Sequence, residues 1–326
     1  CSSDLGQEQP ALKEFLQNQS GQLIVQTDFG IARAAILHYS KKQRSSWYSV
    51  NHSEEYKGGL HWDQPKFRAI TAMPATSQGD GPMAPMPFFH NVHGLNTDLV
   101  FFHDVPAAGK QQVYGLNLYD NKGNLVFRND ECVTVQLHGI KRISLENYLP
   151  ADAKIYGLAQ IYLSPASHNQ FWQCSYPVDA HYILNDGEWD SMYSQGSVGR
   201  INAGEGWRTR IFGRVYCDEN LQTDLVMIYP STATGDDIRS IPNSATQITL
   251  CDPTGKTSIT RELHFKPQST HILKLQEFFP EINNFNLKSG QACGVYVRDV
   301  TAKIITIHMT RNQQGTSIAV DHFAGG

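Results

Sequence analysis

Short runs in which apolar and polar residues alternate recur along the chain and predict β-strands. Leu116 and Leu118 flank Asn117, and Ile305 and Ile307 are likewise separated by a single polar residue. A period of two places successive side chains on opposite faces of a sheet, so one face of each strand is expected to be buried. No long stretch has helical periodicity, and the pattern therefore predicts an all-β protein.

The predicted strands fall into two diverged copies of one unit. Residues 95–100 (LNTDLV) return as residues 221–226 (LQTDLV), and residues 116–120 (LNLYD) return as residues 248–252 (ITLCD). Two further pairs of matching blocks keep this order: 143–150 with 273–280, and 38–62 with 181–207. Each copy holds about seven or eight short strands with frequent turns, which predicts two tandem β-sandwich domains.

This repeat divides the chain into three predicted segments. Residues 1–21 form an N-terminal arm, residues 22–170 the first β-sandwich and residues 171–326 the second. In the arm, Leu12 and Phe15 have the i, i+3 spacing of a short amphipathic helix. We expect this arm to pack either on the first domain or on a partner protein.

Two predicted strands depart from simple alternation. Residues 99–102 (LVFF) and 225–228 (LVMI) are consecutive apolar residues. A strand of this composition is expected to be covered on both faces. We favour a loop as the cover of the outer face; the alternative is an interface with the other domain or with a partner.

Composition narrows the functional classes. The 326 residues carry a net charge of −4, which is not the basic balance of a nucleic-acid-binding protein. No apolar run approaches the ~20 residues of a membrane-spanning helix. Five cysteines follow Cys1 without any C-x-x-C pair, so a zinc ribbon is not expected, and any disulfide connectivity stays open.

Cys1 is followed by the small polar residues Ser2 and Ser3, and the chain opens like a processed bacterial lipoprotein. In such proteins the N-terminal cysteine carries covalent acyl chains, each contributing ~0.8 kcal/mol per buried methylene. Position 2 is not Asp, which favours the outer membrane. We expect a lipid on Cys1 and no other cofactor; the alternative is a chain trimmed at Cys1 by chance.

The sequence contains no recognisable catalytic motif. It lacks G-x-S-x-G and H-E-x-x-H, and the histidines His90, His93 and His103 have no counterparts in the second copy. The carboxylates Asp186 and Glu188 also differ between the copies. We therefore expect a non-enzymatic protein without a metal site, in which these histidines are surface or capping residues.

Aromatic residues in the predicted loops are the strongest candidates for contact with a ligand or partner. Trp47 and Tyr48 in the first copy match Trp189 and Tyr193 in the second. Exposed Trp and Tyr side chains stack on sugars or anchor protein interfaces, although they also cap sandwich cores. We select these four residues, together with Leu12 and Phe15 of the arm, as the candidate contact surface.

Three stretches of the first copy are similar in style to sensory-rhodopsin-transducer-type β-sandwich modules. They are residues 96–98 (NTD), the turn 119–123 (YDNKG) and residues 157–164. The second copy departs from this pattern at Gln222 and Cys251. The resemblance implies a β-sandwich and carries over no site residues.

These observations favour a lipid-anchored envelope protein, on the outer membrane, that acts as a binding or structural subunit of a membrane-associated assembly. Its expected partners are the membrane, through Cys1, and another envelope protein. The alternatives are a carbohydrate-binding surface lipoprotein and a glycan hydrolase.

Overall fold

The computed structural model describes nine stretches of the chain: residues 35–39, 47–52, 83–103, 109–164, 178–184, 190–194, 209–231, 241–315 and 318–325. Within them the protein is built from β-strands, with short helical segments at Leu145–Tyr148, Leu275–Phe278 and Pro280–Phe285. The predicted all-β class with sandwich-like packing is therefore confirmed. None of the helices in these stretches is long and apolar enough to cross a membrane.

Nineteen strands follow one another along the described chain. The first ten are β1 Ala35–Tyr39, β2 Trp47–His52, β3 Met83–Val92, β4 Leu95–His103, β5 Gln111–Asp120, β6 Leu125–Gln136, β7 Gly139–Ser144, β8 Ile155–Leu163, β9 Val178–Leu184 and β10 Asp190–Ser194. The other nine are β11 Thr209–Tyr216, β12 Leu221–Ile228, β13 Thr246–Cys251, β14 Ser258–Leu263, β15 Thr270–Lys274, β16 Ala292–Asp299, β17 Ile305–Asn312, β18 Ile318–His322 and β19 Ala324–Gly325.

Two sets of eight strands pair in the same antiparallel order. In the first strand set, β3 to β10, the pairing runs β3-β8-β5-β6 on one side and β7-β4-β9-β10 on the other. In the second strand set, β11 to β18, it runs β11-β16-β13-β14 and β15-β12-β17-β18. In addition, β1 pairs with β2, and β19 pairs with β11. The two strand sets therefore share this pairing order, and they differ in that β3 also pairs with β4.

The turns that join equivalent strands are also built alike. The backbone N–H of Gly123 donates to the carbonyl of Asp120, and that of Gly255 donates to the carbonyl of Asp252, at 3.0 Å in both cases. Both glycines have positive φ, +86° and +71°, which residues with a Cβ adopt only with strain. These turns agree with the frequent turns predicted for each copy.

Each strand set encloses a hydrophobic core between its two layers. Fully buried residues of the first core include Met86, Phe88, Leu99, Phe101, Leu116, Leu118 and Ile161. Those of the second core include Val215, Leu225, Met227, Ile248, Leu250, Val295 and Val297. The alternation along these strands produces both cores, because every second side chain points between the layers.

The consecutive apolar residues of β12 belong to two different cores. Leu225 and Met227 lie in the core of the second strand set. Val226 packs into the core cluster of the first strand set, and Ile228 packs against Leu158 of β8. The favoured cover for this strand, a loop, is therefore wrong: the first strand set covers it, because an apolar sheet face of this size is most stable when another sheet buries it.

The predicted boundary between residues 170 and 171 lies outside the described residues, and the three-segment division stays a prediction. Strand β9 begins at Val178 and pairs with β4, so the first strand set extends into the segment 171–326.

Candidate binding face

The outer face of the sheet formed by β14, β13, β16 and β11 points away from the second core. In β16, Val295 and Val297 are buried, whereas Tyr296 and Arg298 between and beyond them are exposed. The same alternation holds in β11, where Arg210, Phe212 and Arg214 are exposed. We call this surface the open face; its members are Arg210, Phe212, Arg214, Gln247, Thr249, Gly294, Tyr296 and Arg298.

Two aromatic rings lie at the centre of the open face. Phe212 and Tyr296 are directly opposite each other in the antiparallel pair of β11 and β16. Their side chains are close, with ring centroids 6.3 Å apart and ring planes inclined by 32°. Phe212 is 48% exposed and Tyr296 is 46% exposed. The pair therefore presents a contiguous aromatic surface to solvent, although rings of this size are usually buried.

Arginines flank the aromatic pair on both sides. Arg210 and Arg298 are directly opposite each other, one outward position along the strands from the rings. Arg214 lies on the other side of the rings, opposite Gly294. Successive outward positions are about 7 Å apart, twice the rise per residue. Like charges directly opposite in a sheet are destabilising, so the protein alone gains nothing from the pairing of Arg210 with Arg298.

No carboxylate neutralises these arginines within the described chain. Gln247 lies beside Arg298 in the next strand, and Glu262 follows beyond Gln247. Glu262 is 3.3 Å from the ring nitrogen Nε2 of His264, rather than near Arg298. The ion pairs that do engage arginines in the described residues involve Arg128, Arg142, Arg261 and Arg311. The open face thus combines an apolar centre with uncompensated positive charge.

The backbone beneath the aromatic pair is already fully paired. Strand β16 has β11 on one side and β13 on the other, and Phe212 of β11 is also paired with Ala324 of β19. A ligand cannot add a strand here, since no row of free N–H and C=O groups remains at these positions. Recognition on this face must therefore use side chains: the ring faces and the guanidinium groups.

The structure brings part of the sequence-predicted contact surface together elsewhere. Trp47 and Tyr48 lie in β2 and Tyr193 lies in β10, and Cα atoms of these two strands approach within 8 Å. Cα atoms of strand β18 also lie within 8 Å of both strands. Trp189 lies outside the described residues, as do the predicted lipid site and arm residues Cys1, Leu12 and Phe15.

Two of the three histidines named in the sequence, His90 and His103, contact backbone carbonyls in loops. Nε2 of His90 donates to the carbonyl of Pro150 at 2.8 Å, and Nε2 of His103 donates to that of Gly109 at 2.9 Å. Among the residues that the structure describes, no group of three or more His, Cys, Asp or Glu side chains could hold a metal ion. Asp186 and Glu188 lie outside those residues.

Sequence reasoning missed Phe212 and Tyr296. The available signal is the alternation along β11 (TRIFGRVY), in which Phe212 lies on the same face of the strand as Arg210 and Arg214. Because arginines are rarely buried, an aromatic residue on the same face between two of them is expected to be exposed to solvent. The tryptophans were predicted as contact residues instead, because they recur at matching places in both copies.

A scan against protein-family models finds no match for this chain, and a search of curated proteins finds none either. Among solved structures, a β-glucuronidase from Bacteroides uniformis is 11% identical with a TM-score of 0.17; the match covers 79% of this chain and 28% of that one. A β-glucuronidase of glycoside hydrolase family 2 is 9% identical with a TM-score of 0.17, covering 92% of this chain and 30% of that one. A serine-rich repeat adhesion glycoprotein from Streptococcus agalactiae is 7% identical with a TM-score of 0.18, covering 74% and 87%. This chain thus spans less than a third of the two glucuronidases, and similarities this low carry no argument about function.

Proposed function

We propose that this protein is a non-enzymatic binding subunit of a membrane-associated assembly in the cell envelope. The observation that carries the proposal is the open face, where Phe212 and Tyr296 are exposed between arginines that have no ion-pair partner among the described residues. Tyr, Phe and Arg are enriched in protein interfaces, where buried aromatic and arginine anchors supply most of the affinity.

The aromatic pair has enough exposed area to anchor a complex. About half of each side chain is exposed, so a partner would remove roughly 200 Å² of apolar surface from water. At ~25 cal/mol per Å² this contributes about 5 kcal/mol, before the costs of association are subtracted. Because the arginines lie at the border of the patch, they would favour a partner with carboxylates there.

The test is affinity purification in detergent from native membranes. We expect a partner to co-purify with the wild-type protein and to be lost with the Phe212→Ala/Tyr296→Ala double variant. The Leu125→Ala/Val126→Ala variant is the matched control, because those two residues are also exposed and apolar but lie in β6. Identical co-purifying proteins in all three samples, or turnover of a glycan or ester substrate, would contradict the proposal.

The membrane link of this proposal is a lipid on Cys1, with the outer membrane as the location. Cys1 followed by Ser2 and Ser3 supports it. Cys1→Ala in the full precursor should release the protein from the membrane fraction. The intact mass of the native protein should exceed the polypeptide mass by the acyl chains; an unmodified Cys1 would refute the anchor and leave the binding face unaffected.

The second candidate is a carbohydrate-binding surface lipoprotein, and the geometry of the ring pair favours it. Phe212 and Tyr296 are open to solvent and mutually inclined by only 32°, an arrangement that can stack on sugar rings. A glycan hydrolase would need two facing carboxylates, and the outward positions of β11, β13, β14 and β16 supply one, Glu262. Glycan-array binding that is lost in Tyr296→Ala, or in Trp47→Ala and Trp189→Ala, would favour this second candidate.

A further inference from the structure

The open face has a structural counterpart in the first strand set. Asn117 of β5 pairs with Gln160 of β8, just as Thr249 of β13 pairs with Tyr296 of β16. In the same way, Pro85 of β3 is opposite Gln160 and thus corresponds to Phe212. We call this counterpart the covered face; its members are Pro85, Asn117, Tyr119, Leu158 and Gln160.

The second strand set packs against the covered face. Tyr119 and Leu158 form one buried cluster with Ile228 of β12 and Ile305 of β17. The amide Nε2 of Gln160 donates to the carbonyl of Ser231 at 2.8 Å. Ser231 lies just beyond the end of β12. This contact joins the β3-β8-β5 layer of one set to the β12-β17 layer of the next.

Burial separates the two equivalent faces. Gln160 on the covered face is 5% exposed, whereas its counterpart Tyr296 is 46% exposed. Asn117 and Tyr119 are buried, and their counterparts Thr249 and Cys251 are partly exposed. Within the described residues, the same layer of the fold is therefore covered in the first strand set and exposed in the second, where Phe212 and Tyr296 stand in place of Pro85 and Gln160.

We propose that the open face docks a β-sandwich partner protein, whose contact surface is an apolar sheet face bordered by carboxylates. The inference rests on the binding function proposed above and specifies its partner. The layer that covers Leu158 supplies the template: Val226, Ile228, Ile305 and Ile307 lie on one face of the sheet that contains β12 and β17. A sheet of this kind would bury Phe212 and Tyr296.

The arginines of the open face determine the second property of the partner, which is the presence of carboxylates on its contact surface. Arg210 and Arg298 face each other without a carboxylate in the described chain, so their proximity costs stability until an acid lies between or beside them. A carboxylate that is buried against both guanidinium groups forms charge-assisted hydrogen bonds, which are stronger than neutral ones. We therefore place Asp or Glu side chains of the partner at this end of the aromatic pair.

Among its described strands, a second copy of this chain offers no free apolar sheet face for the role. The layer of the first strand set that corresponds to β12 is β4, and its outward residues Asp98 and Val100 are already buried. Asp98 is also engaged by Nε of Arg142 at 2.6 Å. The layer that carries Val226 already packs against the first strand set of its own chain. The occupant of the open face is therefore a different protein.

Site-specific photocrosslinking in the native envelope tests the proposal. The probe is full-length protein carrying p-benzoylphenylalanine in place of Tyr296, and the control carries it in place of the exposed Val126 of β6. We expect the residue-296 probe to crosslink to a β-strand of another protein, at a position that mass spectrometry maps beside Asp or Glu. The control should give no crosslink to that protein.

Charge reversal supplies the second arm. Arg210→Glu/Arg298→Glu should lower the crosslinking yield at least about tenfold, since like charges across an interface are strongly unfavourable. Lys256→Glu reverses the charge of one residue in an exposed turn of the same strand set and should leave the yield unchanged. Matching circular-dichroism spectra and melting temperatures would show that every variant is folded.

Several outcomes would overturn the inference. They are a crosslink from residue 296 to a second copy of this chain, a crosslink to a helical protein, and no crosslink at all. Retardation of the wild-type protein in gels containing heparin or polygalacturonate, without a crosslinked protein, would assign the face to acidic saccharides instead.

If affinity purification finds a partner that crosslinks only through β2 or β10, the binding function stands and this inference fails. If no partner is found by either method, both fail.

Discussion

Leu225 and Val226 are neighbours in β12, yet their side chains lie in two different hydrophobic clusters. Leu225 is fully buried in the core of the second strand set, and Val226 is buried in the cluster that belongs mainly to the first. Because successive side chains of a strand point to opposite faces, one strand stabilises both the interior of its own set and the contact with the other.

Truncating these two residues should have separable effects. Leu225→Ala should cost ~2–5 kcal/mol and raise amide hydrogen exchange throughout β11 to β18. Val226→Ala should cost about 2 kcal/mol, and it should raise exchange in both β8 and β12, since it weakens the contact between the sets. Hydrogen exchange read by mass spectrometry checks this, and identical exchange maps for the two variants would contradict the assignment of the two faces.

Gly157 of β8 and Gly294 of β16 should respond differently to alanine. A Cβ on Gly157 would lie 1.9 Å from the carbonyl oxygen of Tyr119, which the backbone cannot accommodate. A Cβ on Gly294 would find its nearest neighbour, Cβ of Cys251, at 3.7 Å, an ordinary contact. We expect Gly157→Ala to lower the free energy of unfolding by ~3 kcal/mol or more, and Gly294→Ala to change it by less than about 1 kcal/mol. Urea titrations measure both, and equal losses would contradict this packing.

The sequence predicts much of this fold because strand pairing leaves a local trace. The alternation around Asn117 and the turns at Gly123 and Gly255 suffice to predict strands, turns and two matching copies. The burial of β12 on both faces is also visible, since its four apolar residues are consecutive. What covers the second face is not visible, because periodicity reports burial and says nothing of the covering element.

The open face escapes prediction for a related reason. Phe212 and Tyr296 are 84 residues apart in sequence, and only the register of β11 against β16 places them side by side. Arg210 and Arg298 become a like-charge pair through that same register. Each residue alone is an unremarkable outward position of a strand.

Buried thiols should be unreactive in the folded protein. Burial raises the pKa of Cys217 to about 11 and that of Cys293 to about 12. The thiolate is the reactive form, so at pH 8 only about one in a thousand Cys217 side chains would be reactive. We expect a thiol-specific chromogenic disulfide reagent to label neither residue until denaturant is added, whereas the half-buried Cys251 reacts earlier. Rapid native labelling of Cys217 would contradict its place in the core.

Stability should fall in mild acid because of His308. Burial is the main cause that lowers the pKa of this side chain below its ordinary value of 6.5, and its Nδ1 atom is buried without a hydrogen-bond partner. The unfolded chain therefore binds a proton at higher pH than the folded one does. The contribution is fully present above pH 6.5 and is lost as the pH falls towards the lowered pKa of the folded state. The melting temperature should decline from pH 7 to pH 5, and it should decline less in His308→Leu; equal slopes would refute this role.

Reversing one arginine of the open face should stabilise the folded protein while it weakens binding. Arg298→Glu replaces a like-charge pair opposite Arg210 with an opposite-charge pair, which contributes roughly 0.2–1 kcal/mol in a sheet. Arg214→Glu is the control, because the residue opposite is Gly294 and no repulsion is relieved. Denaturant midpoints should therefore rise for Arg298→Glu and stay constant for Arg214→Glu, with the gain shrinking at high salt. A loss of stability in Arg298→Glu would mean that the arginine is already neutralised within the chain, and the open face would then have no charge left for a partner to satisfy.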